Sequence, residues 1–167
     1  NELGPPSAQR RAGEGRDSHR YAIAASLRMM GATVRHYPTV SDEPGALEAA
    51  LAQALRDGDA IVLTGGSSVG ERDRTPEAVA SLGEPGVIVH GLRVKPGKPT
   101  VLAAAGGKPV IGLPGNPTSA LMILEAVAAP VIAALTGAEL PRAFLTARLE
   151  APVRARAGWT WYVPVAL

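Results

Sequence analysis

The chain has 167 residues, of which 46% are hydrophobic, carries a formal net charge of +2 and contains no cysteine. That length and apolar content suffice for one ordinary domain, or one domain plus part of another. So small a charge excess leaves no electrostatic footprint for nucleic acid, and the lack of cysteine excludes disulfides, thiolate nucleophiles and cysteine-ligated zinc.

Residues 1–16 are rich in Pro, Gly, Arg and Glu, show neither helical nor strand period, and read as a loop or tail. Ser18 predicts the N-cap of a helix reaching Met30, with Gly31 at its C′ position. Ala32–Tyr37 reads as a strand. Ser41-Asp42-Glu43-Pro44 signals a second helix start, and Leu47, Ala50, Leu51, Ala54 and Leu55 follow at helical spacing until Gly58. Asp59–Thr64 is a short apolar run typical of a strand covered on both faces, delivering Gly65 and the residues after it to its carboxyl end. A short helix from Thr75 to Gly83 and a strand from Val87 to Val94 come next. The turn Lys95–Pro99 leads into strands Thr100–Ala104 and Pro109–Leu113, joined as a hairpin around Gly106-Gly107. A long apolar helix, Thr118–Thr136, ends at Gly137.

This order predicts an α/β domain over residues 17–138, with an open, mostly parallel sheet, helices on both faces, and ligands outside the carboxyl ends of the strands. From 141 to 167 the alternation of Trp159, Trp161, Val163 and Val165 reads as the start of a small, truncated β-type domain. The opening at Asn1 suggests a piece of something longer. Leu121–Leu135, interrupted by Glu125 and Pro130, falls short of the roughly 20 residues a membrane helix needs, so a soluble, non-membrane chain is expected.

Three loops carry candidate chemistry. In Gly65-Gly66-Ser67-Ser68-Val69-Gly70, backbone N–H groups and the hydroxyls of Ser67 and Ser68 can cradle a phosphate, although a Gly-Gly pair is also an ordinary tight turn. Asp73, just beyond it, stands where a divalent metal could bridge, or caps the next helix. Lys95-Pro96-Gly97-Lys98-Pro99 offers two ammonium groups on a stiffened turn, suited to a tetrahedral oxyanion, or is merely an exposed basic turn. Asn116 and Ser119 open the long helix, an anion site by its dipole or simply its caps. Asp17, Ser18 and Asp42 stand at helix starts as caps. His19, His36 and His90 lack metal-ligand spacing, and Arg148, Arg154 and Arg156 read as solvent-side strand positions.

Asn1-Glu2-Leu3, Gly15–Ser18, Asp42, Gly65–Asp73, Lys95–Pro99 and Leu113–Ser119 occur in the order and approximate spacing of molybdopterin molybdenumtransferases, so the chain resembles the central domain of the MoeA/gephyrin family. The resemblance implies a cytoplasmic, dimeric enzyme of molybdenum cofactor biosynthesis. It would bind adenylylated molybdopterin and insert molybdenum from molybdate, with Mg²⁺, releasing AMP. By the same resemblance, Gly65, Gly66, Ser67, Ser68, Gly70, Asp17, Ser18 and Asn116 belong to the pterin and nucleotide site. Asp73 would be catalytic and hold Mg²⁺, with Asp42 beside it in the cleft. Lys95, Lys98, Pro99 and Ser119 would form the molybdate site. His19 stands where the family usually has Asn, and the loop matched by Asn1-Glu2-Leu3 normally follows the domain's first strand, which is therefore expected outside this chain. The competing readings are a molybdopterin adenylyltransferase, which shares this sheet, and a non-catalytic scaffold module of gephyrin type.

Overall fold

The computed structural model describes residues 3–4, 15–17, 19–41, 43–65, 74–139 and 144–165. Two two-residue strands, β1 (Leu3–Gly4) and β2 (Gly15–Arg16), pair in parallel ahead of helix α1 (His19–Met29). Helix α2 (Ala46–Asp57) starts later than its Ser41 signal, because Gly45 takes the N-cap with φ 80° and no side chain caps the turn. Strand β3 (Ile61–Thr64), helix α3 (Thr75–Ala80) and strand β4 (Pro85–His90) follow. The expected strand to Val94 breaks at Gly91, whose φ is 89°, and resumes as β5 (Val94–Lys95). Strands β6 (Val101–Ala105) and β7 (Lys108–Leu113) form the predicted hairpin. Gly106 and Gly107 both have positive φ, 55° and 75°, as a two-residue turn matched to strand twist requires.

The long helix has three parts: α4 (Pro117–Ile123), a π-helical segment (Leu124–Ala128) and α5 (Ala129–Thr136). Ala129 N donates to Leu124 O, five residues back. That widened turn comes just before Pro130, which has no N–H to give and whose ring crowds the preceding turn of a regular helix. The 117–136 helix spans 20 residues with mean hydropathy 1.9, so by length and composition it is long and apolar enough to cross a membrane, unlike the shorter stretch read from sequence. Its Ala120, Ile123, Leu124, Ala128, Ala129 and Ile132 are buried in the core, and 39% of the apolar stretch is buried.

The central sheet has the order β3-β7-β6-β4. Side chains alternate across it. Ile111, Leu113 and Leu102 pack with α1 and the long helix, whereas Val110, Val101 and Ala103 pack with α2 and α3. Helices therefore cover both faces, as the sequence predicts. The ladder directions depart from the mostly parallel expectation: β3–β7 is parallel, β7–β6 and β6–β4 antiparallel. A two-residue hairpin and the ten-residue return through 91–100 are too short for the crossovers that parallel neighbours need.

Ala32–Tyr37, expected as a strand, forms none and joins no ladder among the described residues. Side chains hold it instead. Arg20 Nη2 donates to Tyr37 O at 3.3 Å, Tyr37 Oη donates to Asp57 Oδ2 at 2.6 Å, and Arg35 Nη1 lies 2.8 Å from the same carboxylate oxygen. In the C-terminal part, residues 144–158 are exposed, and the strand content is a two-residue strand, β8 (Thr160–Trp161), paired in parallel with β5. Arg148, Arg154 and Arg156 are exposed but lie outside any strand, and Arg156 sits 5.6 Å from the Trp159 ring centroid.

Candidate functional site

Register fixes one rim. Thr64 pairs with Leu113, Gly112 with Val101, and Val101 with His90, so the carboxyl ends of β3, β7 and β4 and the start of β6 stand at one level. The exits from β3 and β7 touch: a Cβ built on Gly115 would lie 3.8 Å from the Gly65 Cα. Gly65 has φ 84°, a conformation suited to glycine.

The loop from Gly91 to Thr100 is tied to itself at this rim. Gly91 N donates to Thr100 O and Leu92 N to Lys98 O, both at 2.8 Å, and the buried Thr100 Oγ1 donates to Gly97 O at 2.6 Å. Gly97 has φ 116°, and a Cβ there would collide with the Ile123 side chain, so the turn rests directly on α4. Lys95 and Lys98 remain exposed, with Pro99 partly buried between the turn and β6. Beside the turn, Asn116 caps α4, its Oδ1 accepting from Ser119 N at 3.1 Å and from Ser119 Oγ at 3.2 Å. Both side chains thus serve the cap, Ala120 N donates to Asn116 O and Pro117 has no N–H, so what the start of the helix offers an anion is chiefly its dipole.

A cleft of about 410 Å³ opens on the other side of Gly65, lined by Asp17, Arg20, Tyr37, Leu63, Gly65 and Thr75 among others. Asp17 and Gly65 are brought together here, but Asp17 is also spent locally, its Oδ2 accepting from Arg20 Nε at 2.8 Å. Lys95, Lys98, Pro99, Asn116 and Ser119 lie outside this cleft, on the rim, and Gly115 comes close to Gly65 between the two groups. Ser18, Asp42, Gly66, Ser67, Ser68, Gly70 and Asp73 lie outside the described residues. Among the described residues, no three His, Cys, Asp or Glu gather to hold a cation, so the divalent metal remains attached to Asp73, with Asp42 nearby, by resemblance alone.

Two features escape a reading of the sequence. Trp161, from β8, lies under Lys95, whose Nζ is 4.4 Å from the ring centroid, and its buried Nε1 has no hydrogen-bond partner among the described residues. Its alternation with Trp159 was visible in the sequence, but a contact across 66 positions leaves no local signal. The second is the Asp57 cluster, in which hydrogen bonds from Gln53 and Tyr37 hold the Asp57 carboxyl below its ordinary range, and the Tyr37 hydroxyl is pushed up chiefly by that same bond. Among the histidines, His19 is buried with Nε2 unpartnered among the described residues, and His36 packs against Tyr21.

Known proteins share this fold. The family described as "Probable molybdopterin binding domain" matches residues 3–134. A molybdopterin molybdenumtransferase from Nostoc sp. is 35% identical over 124 residues, covering 72% of this chain and 28% of that protein. Molybdopterin molybdenumtransferase 2 from Mycobacterium tuberculosis is 31% identical over 161 residues, covering 91% of this chain and 40% of that protein. The crystal structure of a molybdopterin biosynthesis MoeA protein from Pyrococcus horikoshii superposes with a TM-score of 0.72 at 33% identity, over 82% of this chain and 33% of that one. The chain thus spans well under half the length of these relatives. With the family matched over most of its residues and the same sheet found in a solved relative, the chain belongs to the molybdopterin-binding domain family of molybdenum cofactor biosynthesis.

Proposed function

We propose that the protein containing this chain is a molybdopterin molybdenumtransferase. It binds adenylylated molybdopterin and inserts molybdenum from molybdate in a divalent-metal-dependent step that releases AMP. The observation that carries this reading is the seating of the Lys95–Pro99 turn on α4, where Gly97 lies against Ile123 and both Lys95 and Lys98 are left exposed. Molybdate is a tetrahedral dianion, and two lysines together with the positive end of a helix dipole answer its charge. The relatives that share the chain's C-terminal part as well as its domain bear the transferase name.

In this reading Gly65, Gly66, Ser67, Ser68 and Gly70 receive the phosphorylated pterin, with Asp17, Ser18 and Asn116 at the edges of the same site. Asp73, with Asp42 near it, would hold Mg²⁺, which supplies charge neutralisation at the phosphates. Lys95 and Lys98 screen the oxyanion, Ser119 offers its hydroxyl and Pro99 shapes the turn. The dithiolene sulfurs belong to the substrate, so the protein's work is positioning and charge screening. The 410 Å³ cleft borders an edge of β3 that pairs with no strand among the described residues, so a further strand of the sheet would fit there. A homodimer in the cytoplasm completes the proposal.

The test uses the full-length protein in cells lacking the transferase. Wild type restores cofactor synthesis, whereas Lys98→Ala and Asp73→Ala fail to. Lys98→Ala should fold normally, since surface changes usually cost under about 0.5 kcal/mol. Wild-type function in both variants would overturn the reading, as would AMP transfer onto molybdopterin from MgATP in the absence of molybdate, the signature of an adenylyltransferase.

A further inference from the structure

The C-terminal segment reaches the rim at β5. Thr160 N donates to Arg93 O and Tyr162 N to Lys95 O, both at 2.8 Å, registering Trp161 opposite Lys95 in the β5–β8 ladder. The Lys95 ammonium then lies 4.4 Å above the indole centroid, within the distance at which a ring face attracts a cation. The indole N–H is buried without an acceptor among the described residues. A donor left in that state weakens a fold, so hydrogen bonding does not explain an indole here. Its face does, because tryptophan binds a cation more strongly than the other aromatic rings.

We propose that Trp161 is a positioning residue of the oxyanion site: it holds the Lys95 ammonium at the rim, so that Lys95 and Lys98 face the incoming dianion together. A free lysine has four side-chain torsions and must lose their freedom on binding an anion. One already resting on a ring loses less. The segment around β8 is thereby part of the binding site and not an appendage to it. This inference rests on the oxyanion reading of the Lys95–Pro99 turn.

The experiment titrates sodium molybdate into the full-length protein by calorimetry, with unfolding midpoints measured alongside. Trp161→Leu, apolar but without an aromatic face, should weaken binding about fivefold, the worth of an ordinary cation–π contact. Trp161→Phe should recover most of the loss. Adding Trp161→Leu to Lys95→Met should weaken binding no further than Lys95→Met alone, because the two act as one unit. Wild-type affinity in Trp161→Leu overturns the proposal, and so does the same loss of affinity from Trp161→Leu whether Lys95 is present or replaced, which would mean that the effect runs through the fold. If Lys95→Met and Lys98→Ala both bind molybdate like wild type, the oxyanion reading itself fails, an outcome distinct from the failure of Trp161 alone.

Discussion

The two flanks of β7 and β3 are built differently. On the β7 side, backbone ladders, a buried threonine and a helix laid against Gly97 fix the rim, so the positions of Lys95, Lys98 and Asn116 follow from main-chain geometry. On the outer side of β3, the 32–41 segment is held off the sheet by the side chains of Arg20, Tyr37 and Asp57, with a cleft between. The first flank should tolerate surface substitution and fail on packing changes. The second should respond to charge. The cleft flank thus has an adaptable boundary, whereas the rim is preset.

The largest effect should come from the core under the rim. Leu124 is fully buried against α1 and the sheet, so Leu124→Ala should cost about 2–5 kcal/mol in denaturant unfolding. Next is Gly97→Ala, which forces an alanine to φ 116° and into Ile123. Strained backbone and overpacking together put its cost at about 2–4 kcal/mol. The two should separate in function. Gly97→Ala should weaken molybdate binding far more than Leu124→Ala does under conditions where both remain folded. Equal losses would mean that the turn is not placed by its contact with α4.

Much of the sheet and of its rim was legible. The Gly106-Gly107 hairpin, the Asn116 cap and the Lys-Pro-Gly-Lys-Pro turn are local signals, each written in adjacent residues whose φ preferences or hydrogen-bonding side chains decide the outcome. What could not be read depends on partners distant in sequence. Ala32–Tyr37 has strand composition, yet a strand needs a neighbour, and among the described residues none lies beside it. The tail alternates like a strand from Trp159 onward, but only Thr160 and Trp161 find one in β5. The π turn ahead of Pro130 is an intermediate case: the proline announced a disturbance, while burial of Leu124 and Ala128 on the same stripe kept the helix continuous instead of ending it.

A smaller effect is expected at the cap. Asn116→Ala removes the acceptor for Ser119 N and Ser119 Oγ, and should cost about 0.5–2 kcal/mol. Asn116→Asp keeps the cap and adds a negative charge at the helix start, so it should be at least as stable while binding molybdate more weakly. If the aspartate variant matched wild type in affinity, the anion would not lie near the end of α4.

The smallest effect, and the sharpest test of the cleft flank, is its pH dependence. Asp57 titrates below its ordinary 3.8, held down first by Gln53 and then by Tyr37, so its contribution is present above that value and is lost as pH falls through the depressed one. Tyr37 titrates above 10.0, raised first by its hydrogen bond to Asp57, so its contribution is present below 10.0 and is lost as pH rises through the elevated value. The 32–41 segment should therefore stay docked between these limits and loosen beyond both, because either protonating the acceptor or removing the donor's proton breaks the same 2.6 Å bond. Ultraviolet titration of Tyr37, with Tyr21 and Tyr162 replaced by Phe, reads the alkaline limit directly. Asp57→Asn should bring the midpoint back toward 10.0, and hydrogen exchange should show faster opening in residues 32–41 with the rim unchanged. A midpoint that stays elevated in Asp57→Asn would mean that the segment is held by something other than this carboxylate.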